Sequence, residues 1–239
     1  MPSPARDPQY RQSKARPEAS SSISPGCKAN RRKRKTGFVT LSLRYSGPWH
    51  DREFTYGRMP IVDTKPPLLI RYEQPSDGEQ VRKINGAAFG RSDEADLIDR
   101  LREEKVILLS LVAEVEGQII GHILSNRMLI ETTQGPVAAV SLVPMAVLPD
   151  HQGHQVGSKL VRRGLAELRE RGERVIIVLG HKGYYPRFGF SPEKARYLGS
   201  PFPPDAFMAV ELSDGALAGV HGTVRYPAAF GLSTGVPVS

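Results

Sequence analysis

The segment from Ser141 to Gly180 constrains the fold more than any other part of the chain. An apolar run, SLVPMAVLP (Ser141 to Pro149), passes through QGHQVGS (Gln152 to Ser158) into an amphipathic stretch. A second apolar run, VIIVLG (Val175 to Gly180), follows it. In the amphipathic stretch Val156, Leu160, Val161, Leu165 and Leu168 recur at helical spacing. Lys159, Arg162, Arg163, Glu167 and Arg169 take the outer face, and Gly172 supplies the stop. The flanking runs are short and nearly all apolar, which predicts strands buried on both faces. Such a strand–loop–helix–strand unit needs a sheet with helices laid against it.

The flanking sequence supplies that sheet. LLIRY (Leu68 to Tyr72) predicts a short strand. SDGEQVRKINGAAFG predicts a helix capped at Ser76 or Asp77, with Val81, Ile84 and Ala88 on one face and an end at Gly90. SDEADLIDRLREEK predicts a second helix with Leu97, Ile98 and Leu101 turned inward. VILLSLVAEVEG and GQIIGHILSNRMLIE predict two strands about a turn near Gly117, and GPVAAVSLVPMAVLP a third. HKGYYPRFGF allows a turn of helix at most, because Pro186 and two glycines limit it, and AFMAVELS predicts a late strand. The order gives a mixed sheet with helices on both sides, an α/β or α+β sandwich.

Charge divides the chain unevenly. The formal net charge is +8, yet residues 1–65 hold 14 Lys and Arg against 5 Asp and Glu, a net of +9 that leaves about −1 for residues 66–239. The basicity therefore belongs to a leader and not to the fold, so nucleic acid is not expected as a partner. Residues 1–36 are rich in Pro, Ser, Arg and Lys without periodicity, a composition that predicts an unfolded leader. Within it NRRKRK (Asn30 to Lys35) reads either as a solvated charge run or as a nucleic-acid or nuclear-address patch. Residues 37–65 show short apolar pieces but no organising pattern. Patterned sequence begins soon after Met59, which raises translation from Met59 as an expectation. The division expected is a leader, 1–65, and a folded domain, 66–239.

The single cysteine, Cys27, sits in the leader, so no intramolecular disulfide forms and no thiol lies in the folded part. That suits a reducing, cytoplasmic setting. No apolar run approaches the roughly 20 residues of a spanning helix, and the N-terminus lacks a secretory core, so no membrane role is expected. His151 and His154 lie three apart without a third ligand, and a metal is not expected either.

QGHQVGSKL (Gln152 to Leu160) is the place for a phosphate. The spacing fits neither a P-loop, where glycine, lysine and hydroxyl come in another order, nor the dinucleotide-binding fingerprint. A helix N-terminus nevertheless offers unpaired N–H groups and partial positive charge, and glycine lets a ligand approach the backbone. Ser158 adds a hydroxyl, and Gln152 and Gln155 add amides. The other reading is a plain strand-to-helix turn.

The loop resembles the Gln/Arg-x-x-Gly-x-Gly/Ala motif of the GNAT superfamily of N-acetyltransferases, matched here by Gln152 and Gly157, with Gln155 where glycine is usual. HKGYYPRFGF resembles the second signature of that family, and the combined wording PMAVLPDHQGHQVGSKL…VLGHKGYYPRFGF is similar to one bacterial branch. The resemblance covers roughly residues 68–212. It implies a mostly antiparallel mixed sheet with a splayed central strand pair. It also implies that Gln152, Gly153, His154, Gln155, Val156, Gly157 and Ser158 hold the pyrophosphate of acetyl-CoA. Main-chain groups of Met145 and Val147 would hold its pantetheine arm.

Tyr185, four residues before Gly189, falls where members carry a tyrosine that protonates the departing thiolate, while Phe188 and Phe190 pack. Tyr184 reads first as an interface aromatic. The implied reaction is direct attack of a primary amine, on a small molecule or a protein, on acetyl-CoA in a ternary complex. His181 and Glu94 are the candidate bases. Each also has a plain structural reading, as an exposed histidine and as a first-turn carboxylate favoured by the helix dipole. The alternative is a non-catalytic acyl-CoA-binding or sensing module. The acceptor stays open, as does oligomeric state, a homodimer included. HGTVRYPAAFG (His221 to Gly231), with Tyr226 and Phe230, reads as a packing strand before it reads as acceptor lining.

Overall fold

The computed structural model describes residues 66–232 in full and, before them, the backbone of three strands. The chain divides into two units, Met1–Lys65 and Pro66–Ser239. In the first, β1 (Cys27–Lys33), β2 (Phe38–Gly47) and β3 (His50–Pro60) pair antiparallel in that order. Strand β1 falls within residues 1–36, for which composition predicts an unfolded leader, and β2 and β3 fall within residues 37–65, where the sequence shows no organising pattern. The rest of the expected leader lies outside the described residues.

The second unit runs β4 (Leu69–Tyr72), α1 (Gly78–Phe89), α2 (Asp93–Glu103), β5 (Ile107–Val115), β6 (Gln118–Thr132) and β7 (Gly135–Val147). It continues with α3 (Val156–Glu170), β8 (Val175–Leu179), α4 (Pro192–Ala195), β9 (Leu198–Gly199), β10 (Phe207–Glu211) and β11 (Gly222–Arg225). Pairing runs β4–β5–β6–β7–β8–β10, antiparallel throughout except for the parallel contact between β7 and β8. Strand β6 outlasts β5, and its far end pairs with β11, which carries β9. Of the segment His221 to Gly231, Gly222–Arg225 forms a packing strand and Ala228–Phe230 a turn of 3-10 helix.

Helices cover both faces. On one, Leu160, Val161 and Leu168 of α3 pack with Leu109, Leu111, Ile123 and Ile176 of the sheet. On the other, Val81, Ile84, Ile98 and Leu101 of α1 and α2 pack with Val112, Leu124 and Ala146. Each such side chain contributes about 1.5–3 kcal/mol by leaving water. The expected stripe of α3 is buried as read. Glu167 is the correction: it lies inside, 7% exposed, where it accepts the Tyr72 hydroxyl and pairs with Arg163. Strand β7 is also less uniform than its apolar sequence implies, since Pro136 and Ala138 are exposed and only its second half is enclosed.

A buried polar chain ties α1 and α2 to the sheet. The Asn85 amide donates to Val81 O at 2.8 Å and to His122 Nδ1 at 3.2 Å. On its other side the His122 ring meets Ser110 Oγ at 2.9 Å, and Ser110 donates to Glu73, which also accepts from Arg102 at 2.5 Å. Burial lowers the His122 pKa and keeps the imidazole neutral. Burial alone would raise that of Glu73, but hydrogen bonds from His122 and Ser110 hold it below the usual range.

Candidate active site

Strands β7 and β8 pair only at Val140–Ile176 and Ser141–Ile177, then run on to Val147 and Leu179 without pairing again. A cleft of 960 Å³ opens between them. Leu148 N–H donates to Ile120 O at 2.9 Å, on the β6 side. Alternation along an extended strand then turns the N–H groups of Val147 and Met145 away from β6, toward the opened edge. Those are main-chain donors in want of partners.

The loop after β7 is built to reach α3 in few residues. The Gln152 side-chain amide donates to Val147 O at 3.0 Å and pins the loop to the strand. One of its two amide hydrogens is thereby used inside the protein. Gln155 is the N-cap of α3 with φ 63° and ψ 10°, a left-handed backbone that glycine adopts freely and glutamine does not. It makes no side-chain cap, and the first turn holds no acid. The leading N–H groups of Val156, Gly157 and Ser158 therefore face a site suited to an anion. Gly157 leaves room for a side chain only if its neighbours move: a Cβ would lie 2.8 Å from the Tyr184 hydroxyl and 3.1 Å from Met145 Sδ.

The opposite wall comes from the segment after β8. His181 O accepts the N–H groups of Tyr184 at 2.8 Å and Tyr185 at 3.2 Å, closing the turn. The Tyr185 ring lies across Gly180, where a Cβ would sit 2.1 Å from Tyr185 Cε2, so only glycine permits this packing. Edge contacts with Phe190 at 5.6 Å and Tyr184 at 5.2 Å hold the ring. Burial, and then the neighbouring Tyr184, push the Tyr185 hydroxyl well above the ordinary phenol range. It stays protonated at any physiological pH, a donor and not a base.

All the expected site residues except His154 line this one cleft; His154 is exposed on the loop and is not part of the lining. Glu94 reaches the cleft from α2 but is held by Arg91 through two bonds, Nη2 to Oε1 at 2.6 Å and Nε to Oε2 at 3.2 Å. His181 is exposed at the rim. Phe89, Leu179, Tyr184 and Arg187 also line the cleft. Phe89 escapes sequence reasoning because it falls off the Val81–Ile84–Ala88 stripe; its one signal is its place beside the terminating Gly90. Among the described residues no group of three or more His, Cys, Asp or Glu converges to hold a metal, and no helix is long and apolar enough to cross a membrane.

Comparison with known proteins agrees with this geometry. Residues 69–192 match the family described as acetyltransferase (GNAT) domain. The uncharacterized N-acetyltransferase YjhQ of Escherichia coli K12 is 42% identical over 119 residues, 49% of this chain and 66% of YjhQ. The uncharacterized N-acetyltransferase YhbS of the same organism is 33% identical over 162 residues, 66% of this chain and 96% of YhbS. The crystal structure of E. coli YhbS in complex with CoA superposes with a TM-score of 0.66 at 31% identity, covering 73% of this chain and 97% of that one. A GNAT family acetyltransferase from Brucella melitensis in complex with acetyl-CoA gives a TM-score of 0.58 at 36% identity, covering 69% and 98%.

Proposed function

The chain belongs to the GNAT family of acetyltransferases, and from that premise we propose that it transfers the acetyl group of acetyl-CoA to a primary amine by direct attack. The observation that carries this reading is the opened edge between β7 and β8, set beside the uncapped N-terminus of α3. Helix N–H groups of Val156, Gly157 and Ser158 would take the pyrophosphate and the main chain of Met145 the pantetheine arm, with the Val147 N–H kept for the thioester end of the same arm. CoA and acetyl-CoA in the YhbS and B. melitensis complexes support acetyl-CoA as the co-substrate.

The chemistry follows from where protons and donors stand. The Val147 N–H polarises the thioester carbonyl and stabilises the oxyanion as the amine nitrogen bonds to carbon. Tyr185, kept protonated by burial, gives its proton to sulfur as the C–S bond breaks. One ammonium proton leaves before attack, to water or to His181 at the rim, and the second returns to the Tyr185 phenolate through water. The products are an acetamide, CoA thiol and one released proton. Glu94, neutralised by Arg91, serves better as a wall than as a base. The absence of any thiol from residues 66–239 favours attack in a ternary complex over an acyl-cysteine route. A cytoplasmic setting belongs to the same proposal, on cysteine usage alone.

A binding module that senses acyl-CoA is the second reading, favoured by the strained Gln155 and by the paired Glu94. Thiol release from acetyl-CoA across a panel of amines separates the two. The transferase reading expects amine-dependent release; tight acetyl-CoA binding with no release for any amine would leave the sensing module.

A further inference from the structure

We propose that the acceptor is a monoamine carried on an apolar body, aromatic or aliphatic, and that Phe89 selects it; the inference rests on the acetyltransferase reading above. Few large apolar side chains of the second unit are exposed, and two of them converge on the cleft: Phe89, 41% exposed, and Leu179, 43% exposed. A lone exposed apolar residue is ordinary, but two lining one concave site give it apolar surface on which a ligand can pack. Ala88, Val143 and Pro144 continue that wall without a polar side chain.

Charge disfavours the other acceptor classes. Among the described residues of the lining, Glu94 is the sole acid, and its carboxylate is already occupied on both oxygens by Arg91. A polyamine or other polycation needs several free carboxylates to offset the loss of its water, and this cleft offers none. A zwitterionic amino acid needs a cation for its carboxylate. Arg91 is engaged by Glu94 and by Asp93 at 3.6 Å, and Arg187 stacks over Tyr184, whose hydroxyl sits against Gly157 at the α3 end.

An apolar acceptor wall also supplies part of what a base would. A primary ammonium moved from water to such a wall, with no free carboxylate to hold it, loses its proton more readily. The neutral amine is the nucleophile that the reaction requires. Phe89 therefore acts on the acceptor in two ways, by packing its body and by disfavouring its charged form. Both effects should read mainly in KM.

Steady-state acetylation by the full chain tests this with 2-phenylethylamine, hexylamine, spermidine and L-lysine, alongside acetyl-CoA binding by calorimetry. The first two amines should exceed the last two in kcat/KM by about tenfold or more. Phe89→Ala should raise KM for 2-phenylethylamine about tenfold with acetyl-CoA affinity kept, and Phe89→Leu should restore most of it. Spermidine or lysine as the best substrate, or Phe89→Ala equal to the parent, would overturn the acceptor class while leaving the transferase reading intact. Acetyl-CoA binding without acetylation of any amine would overturn both.

Discussion

The Tyr184 hydroxyl lies 2.8 Å from the point that a Cβ on Gly157 would occupy, so the second residue of α3 and the turn after β8 meet at the helix N-terminus. A methyl group there displaces the end of the Tyr184 side chain and crowds the N–H groups proposed to receive pyrophosphate. Gly157→Ala should weaken CoA binding about tenfold, ~1.4 kcal/mol. The fold should hold, because the clashing atom is the tip of a movable side chain. Calorimetric titration with CoA, beside a thermal melt, checks both halves.

Gln155 holds a left-handed backbone where the family resemblance leads one to expect glycine. The strain is about 1 kcal/mol, partly offset in any glycine variant by greater freedom of the unfolded chain. Gln155→Gly should therefore raise the melting temperature by about 2–4 °C at most and tighten CoA binding. Gln155→Val, branched at Cβ, should lower both. Matching melts for the glycine and valine variants would contradict the strain.

Tyr185→Phe should lower kcat at least tenfold while leaving acetyl-CoA affinity near its parent value, since the lost hydroxyl acts only as the C–S bond breaks. The pH dependence has a definite sign. The folded hydroxyl is raised above its ordinary value of 10.0 by burial, so above that pH the unfolded chain sheds its proton first. Its contribution to stability is full below pH 10.0 and is lost as pH rises beyond it. Half-buried Tyr226, raised by the same cause, acts in the same direction. Melts between pH 8 and 11 should fall more steeply for the parent than for Tyr185→Phe.

The acid side depends on His122 and Glu73. His122 is lowered from 6.5 by burial, so below that pH the unfolded chain gains the proton and the folded state loses stability. Glu73, also held low, loses its contribution as pH falls below its ordinary value of 4.5. His122→Gln should flatten the part of the stability profile between pH 6.5 and 5, leaving the later fall in place. A profile identical to the parent's in that interval would show that His122 is not buried and neutral.

The fold was legible wherever periodicity and punctuation coincide. The α3 stripe, its stop at Gly172, the helix ending at Gly90 and the turn at Gly117 all stand as read. Glu167 was not legible, because its burial depends on the Tyr72 hydroxyl, contributed from 95 residues away. Nor were β1, β2 and β3, whose sequence carries only short apolar pieces. In the cleft the motif residues gathered because loop and turn chemistry is local. Phe89, the Glu94–Arg91 pair and the Gln152 bond to Val147 needed the third dimension, since each is a meeting of side chains that spacing alone does not specify.

Initial rates of CoA thiol release, measured over a matrix of acetyl-CoA and 2-phenylethylamine concentrations, test the central claim most directly. Direct attack in one cleft requires amine-dependent release and reciprocal plots that intersect, with no acetylated enzyme detectable by intact mass. Parallel plots accompanied by an acetylated enzyme, or thiol release that ignores the amine, would contradict it.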